Sequence, residues 1–169
     1  MSFTFRSISL LVLLAGCSAV DAREVSLRHF PVDDVAGIVA QSSVVFDAAT
    51  SSDGHGSAKI EAREPMTVRL YDAEGLDVEK ARLIYRAKVR TAEVEGRVFL
   101  EMWCRFPGQG EYFSRALDQA LTGTVDWTTL EAPFILQAGQ IPDLVQLNIV
   151  IDGTGTVWID DIDLVRTGL

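Results

Sequence analysis

From Val44 to the C-terminus apolar residues recur at every second position, a period that suits a pleated strand and not an α-helix. Ala58, Ile60 and Ala62 alternate with Ser57, Lys59 and Glu61, and Met66, Val68 and Leu70 with Thr67, Arg69 and Tyr71. Leu83, Tyr85, Ala87 and Val89 form the apolar side of a longer stretch whose other side carries Arg82, Arg86, Lys88 and Arg90. Val98, Leu100, Met102, Cys104 and Phe106 follow, then shorter segments at 112–115 and 128–134, then Val145, Leu147, Ile149 and Ile151. Asp152-Gly153-Thr154-Gly155 reads as a turn before a last strand over 156–166. About nine such strands with turn signals between them predict an all-β fold, an antiparallel sandwich or barrel, and disfavour parallel α/β architectures.

The last strand breaks its own rule. Val157 and Ile159 share one parity, Ile162 and Leu164 the other. Either a β-bulge at Asp160-Asp161 returns both pairs to the core, or Val157 and Ile159 lie on a covered second face.

With 48% hydrophobic residues among 169, the chain can bury a core of one domain. Its 24 acidic and 15 basic residues give a net charge of -9, which repels a phosphate backbone and argues against nucleic acid as a partner. Two cysteines cannot make a disulfide scaffold, and two histidines cannot make a metal centre without carboxylate help.

The N-terminus reads as an address. Arg6 precedes the apolar run Ile8 to Ala15, too short to span a bilayer. Leu14-Ala15-Gly16-Cys17 resembles the lipobox of bacterial lipoproteins, which implies lipidation at Cys17 and anchoring in a membrane of the cell envelope, periplasmic or outer. The other reading is an ordinary secreted protein cut after Ala22. The organisation expected is a signal peptide over 1–16, a lipidated N-terminus and tether over 17–40, and the β-sandwich over 41–169.

At the other end, Gly155 to Leu164, GTVWIDDIDL, resembles the closing strand of galactose-binding-like jelly rolls, among them many carbohydrate-binding modules. Ser52 to Ile60 is similar to their early turn into a strand, and Gly123-Thr124-Val125-Asp126-Trp127 to the entry of their penultimate hairpin. Leu100 to Ser114 also resembles a stretch in bacterial envelope proteins of this shape. The resemblance implies a jelly-roll sandwich and, by analogy, glycan binding. It also implies a structural calcium held by Asp161, or Asp160 without the bulge, with Asp47 at the other end of the clip. Solvated aspartates capping a sheet edge are the alternative. Trp127 and Trp158 match positions that are structural in those modules and are expected in the core.

Catalysis finds little support. There is no Gly-x-Ser-x-Gly elbow, His55 lies in a turn-forming Asp53-Gly54-His55-Gly56, and Cys104 alternates with core residues. Glu101 and Glu131 could face one groove, but the strand pattern of jelly-roll glucanases is missing. A noncatalytic protein is the expectation. The polar side of the 97–106 strand is the candidate ligand face, because Phe99 and Trp103 alternate with Arg97, Glu101 and Arg105. Aromatic rings pack against the C–H faces of sugars while carboxylate, guanidinium and amide groups bond hydroxyls. Asn148 and Gln146 project from their own strand with the same polar parity, and Arg86 and Lys88 are candidate neighbours. Phe99, Glu101, Trp103, Arg105 and Asn148 are therefore the expected glycan contacts. If the N-terminal segment instead covers Phe99 and Trp103, the face is a second packing layer. The rival function is an envelope structural or assembly protein that uses the sandwich to bind another protein.

Overall fold

A computed structural model describes residues 23–169 and shows an all-β protein. Its strands are β1 (Val25–Phe30), β2 (Val45–Asp47), β3 (Ser57–Ala62), β4 (Met66–Glu74), β5 (Ala81–Phe106), β6 (Gly110–Arg115), β7 (Leu121–Leu136) and β8 (Leu144–Thr167), all paired antiparallel. The signal-peptide reading and Cys17 lie outside the described residues.

There are eight strands among the described residues rather than about nine: two predicted pairs are each one continuous strand, and β1 is an additional strand before Val44. β5 has 26 residues and β8 has 24, and they stay paired from Arg82–Thr167 to Arg105–Leu144. At ~3.3 Å per residue a straight strand of 26 would run about 85 Å, far beyond the ~15 Å radius of gyration of a domain this size. The pair must bend, and it does so where the register slips between Ala92 and Glu95. Gly96 faces Gly153 there, and a Cβ on either would meet the opposite backbone. Asp152 to Gly155 is thus the crossing point of a continuous strand and not a hairpin turn. A pair of glycines allows the two backbones to approach closely at the bend.

The bend divides the molecule into two layers. β7, the first half of β5 and the second half of β8 form one sheet, extended by β1, β3 and β2. β6, the second half of β5, the first half of β8 and β4 form the other. Their inward parities supply one core, including Leu83, Tyr85, Leu100, Met102, Leu136, Leu147, Ile149 and Ile159, all essentially unexposed. Full burial of each large aliphatic side chain contributes about 1.5–3 kcal/mol before entropy is counted.

Two expectations are corrected. The folded domain begins before position 41, since β1 pairs with Ile162–Arg166 and Val32 and Ile38 are buried. Trp127 and Trp158 are only partly buried and lie outside the core, because each has the outward parity of its strand. The parity break in β8 resolves as a bulge: Arg86 faces Asp163 and Lys88 faces Asp160, so β8 holds one extra residue. Asp161 takes φ +48°, and Val157, Ile159, Ile162 and Leu164 are all buried. Cys104 is a buried free thiol whose pKa burial pushes up to about 12, as suits an inert core residue.

Candidate functional site

The outward side of the β6–β5–β8–β4 sheet places side chains in rows across the strands. Arg115, Glu101, Asn148 and Arg69 occupy one row, and Phe113, Trp103 and Gln146 the next. Glu101 is the hub. It is 4% exposed, yet its oxygens accept from Trp103 Nε1 at 2.7 Å, Arg115 Nε at 2.6 Å and Asn148 Nδ2 at 3.2 Å. Three donors offset the cost of burying a carboxylate and fix the three side chains that supply them. Asn148, 5% exposed, therefore serves Glu101 from beneath, and its Oδ1 has no protein partner.

Around the hub the chemistry is aromatic. The Trp103 and Phe113 rings meet at 4.9 Å with a 42° tilt, and the Arg115 guanidinium lies 4.5 Å from the Phe113 centroid. Phe113 is half-exposed and Trp103 partly exposed. Beside this corner an open groove of about 430 Å3 crosses the strands. Met66, Leu117 and Val150 supply its apolar surface above the buried Phe99 and Ile151, and Arg97, Asp152 and Arg115 contribute to a comparable polar share. Arg97 bonds Asp152 at 2.7 Å. Phe99 is 4% exposed, so it offers little area of its own.

The five expected contact residues thus share one sheet face but not one depth. Trp103 and Arg105 reach its surface, whereas Phe99, Glu101 and Asn148 are largely covered. Arg105 is turned aside to Asp143, which it grips through two nitrogens at 2.9 and 3.0 Å. That bond holds the Asp143 carboxyl below the usual range. Arg86 and Lys88 are not neighbours of Asn148, because they belong to the first half of β5 in the other sheet. Glu131 is there too, bonded to Arg86 at 2.6 Å, so Glu101 and Glu131 do not flank one groove. Arg115 and Phe113 were not foreseen. Their strand is short, and only its register against Glu101 and Trp103 reveals them.

The aspartates of the expected calcium clip separate. Asp160 is fully buried and accepts from the Ser52 and Asp161 backbone N–H groups at 2.8 and 2.9 Å. Asp47 accepts from Trp158 Nε1 at 2.8 Å and from the Ala49 N–H. Asp161 instead approaches His29 and Asp163, and those three are the only histidine, cysteine or acidic group among the described residues whose ligand atoms gather within 4.8 Å. A histidine nitrogen with two carboxylates fits calcium poorly, since calcium takes six to eight oxygens.

No family model matches the sequence, and no curated protein matches it. Among the solved structures that share the fold are carbohydrate-binding modules. One is the CBM22-1 and GH10 module pair of the Clostridium thermocellum endo-1,4-β-D-xylanase 10B, solved with xylohexaose: TM-score 0.62, 13% identity, 85% of this chain and 29% of that one. The chain therefore spans under a third of that protein. The CBM22-1 xylan-binding domain of Paenibacillus barcinonensis Xyn10C is matched over 86% of this chain and 96% of its own, with TM-score 0.61 and 13% identity. A family 16 carbohydrate-binding module matches at TM-score 0.53 and 14% identity, over 72% of this chain and 84% of that one. At such identity the likeness is one of fold, a β-sandwich.

Proposed function

We propose that this chain is a noncatalytic glycan-binding protein of the cell envelope, carried on a lipidated Cys17. The observation that carries the binding role is the open groove beside the Trp103–Phe113 corner, with hydrogen-bonding groups held in place by Glu101. A sugar ring needs that combination of an apolar platform and directed polar partners. The modules that share the fold support it. Glu101 also speaks for binding over hydrolysis, because its oxygens are already engaged by three donors. In a glycan array probed with the full-length protein, at least one oligosaccharide class is retained and elutes with free sugar. Failure to bind any glycan, on the array and by calorimetry, overturns the reading. For the anchor, Cys17→Ser blocks lipid labelling, and a wild-type N-terminus at Arg23 would show secretion instead.

A protein-binding role is favoured by a different feature. Tyr112 and Ile135, which do not line the groove, are each about half-exposed, at 51% and 55%, along the β6–β7 side. A partner that binds there leaves the groove free, so competition with sugar separates the two roles.

A further inference from the structure

The charges on the groove-bearing face cancel in pairs. Arg69 is bonded through two nitrogens to Asp72 at 2.7 Å, Arg97 to Asp152 at 2.7 Å, Arg105 to Asp143 at 2.9 Å and Arg115 to Glu101 at 2.6 Å. No arginine of this face is left without a carboxylate, and Glu111, opposite Arg105, adds further negative charge. We infer that the groove selects an uncharged glycan and rejects uronate-bearing ones. This inference rests on the glycan-binding reading and narrows it.

The reason is competition. A guanidinium carries five N–H donors in a fixed fork. Arg115 commits Nε to Glu101 and Arg97 one terminal nitrogen to Asp152, and the remaining N–H groups can meet hydroxyls without disturbing either pair. A ligand carboxylate that reached those free N–H groups would meet a guanidinium whose charge is already neutralised, with the resident carboxylate close enough to repel it. A cationic amino sugar meets the converse obstacle at Arg97 and Arg115.

The test titrates the full-length protein with neutral xylan or galactan oligosaccharides, with polygalacturonate and with chitosan oligomers, at low and high salt. A neutral oligosaccharide is expected to bind with an affinity that changes less than about twofold with salt, because no net charge is neutralised. Tighter binding of either charged polymer overturns the inference but leaves glycan binding standing. Binding of none removes both. Asp152→Asn supplies the second arm. Asp152 is about half-exposed, so the variant keeps the fold, and it frees Arg97. It is expected to gain polygalacturonate binding, by about tenfold over wild type at low salt, that fades as salt screens it. An Asp152→Asn protein that still ignores polygalacturonate would show that paired charge is not the selector.

Discussion

The two outward faces are made from the same two strands, yet they treat their tryptophans differently. On the β7–β5–β8–β3 face Trp158 stands between Lys59 and Arg90, whose cations lie 5.8 and 5.5 Å from its ring centroid and come from the strands on either side. Asp47 holds its indole N–H at 2.8 Å. Its π-faces are occupied by cation–π partners, which leaves little for a ligand. On the other face Trp103 is also held by its N–H, through Glu101, but its neighbours are Gln146 and the tilted ring of Phe113. An aromatic residue on the solvent parity of a strand is thus not yet a platform. Its flanking residues on the adjacent strands decide whether it binds or braces.

The strongest disturbance should come where both faces originate. Gly153→Ala places a Cβ against the Glu95 backbone at the shared bend, so the backbones must separate. A loss of about 3 kcal/mol is expected, a Tm fall of roughly 6–12 °C for a domain of this size, together with lost binding. A melt unchanged within a degree would mean that the bend tolerates separation. Next, Trp158→Ala should cost about 2 kcal/mol of stability, read as a lower Tm, and leave glycan affinity intact. Trp103→Ala should do the reverse in the main: hiding roughly 80 Å2 of apolar surface is worth about 2 kcal/mol, or thirtyfold in affinity, with a smaller Tm change. If the two variants behave alike, the distinction between bracing and binding rings fails.

How much of this was readable follows from which interactions are local. Period-two alternation identified the inward side of nearly every strand, because burial acts on each residue according to its own parity. The bulge was readable as one of two options for the same reason. The bend was not, since Asp-Gly-Thr-Gly is a plausible turn by itself and only the facing Gly96 makes it a crossing. The strand Val25–Phe30 was missed because it is mostly exposed, with no apolar face to give it a period. Phe99, Glu101 and Trp103 were placed on the right face. That Glu101 is a buried hub, and that Arg115 and Phe113 complete the corner, depends on β6 register and could not be read from spacing.

The smallest expected effect compares two aspartates of the bracing face. Asp160 sits at the bulge, where the edge of β8 changes partner from β3 to β1. Its burial raises its pKa above the ordinary 3.8, and the hydrogen bonds from Ser52 and Asp161 only partly oppose this. Asp47 is shifted the other way, chiefly by the Trp158 N–H, then by the Ala49 N–H. The signs differ accordingly. A folded state that binds the Asp160 proton more tightly than the unfolded state loses stability as pH rises from the ordinary value through the raised one. For Asp47 the contribution is present above its unfolded pKa and is lost as pH falls through the lowered one. Asp160→Asn should therefore compare better with wild type at pH 7 than at pH 3, and Asp47→Asn worse at pH 7 than at pH 3. Each difference should be a few degrees at most, since an amide keeps part of the hydrogen bonding. Melts of both variants at the two pH values check this. If Asp160→Asn instead loses more ground at pH 7, the Ser52 and Asp161 hydrogen bonds outweigh burial, and Asp160 is a clamp of the same kind as Asp47.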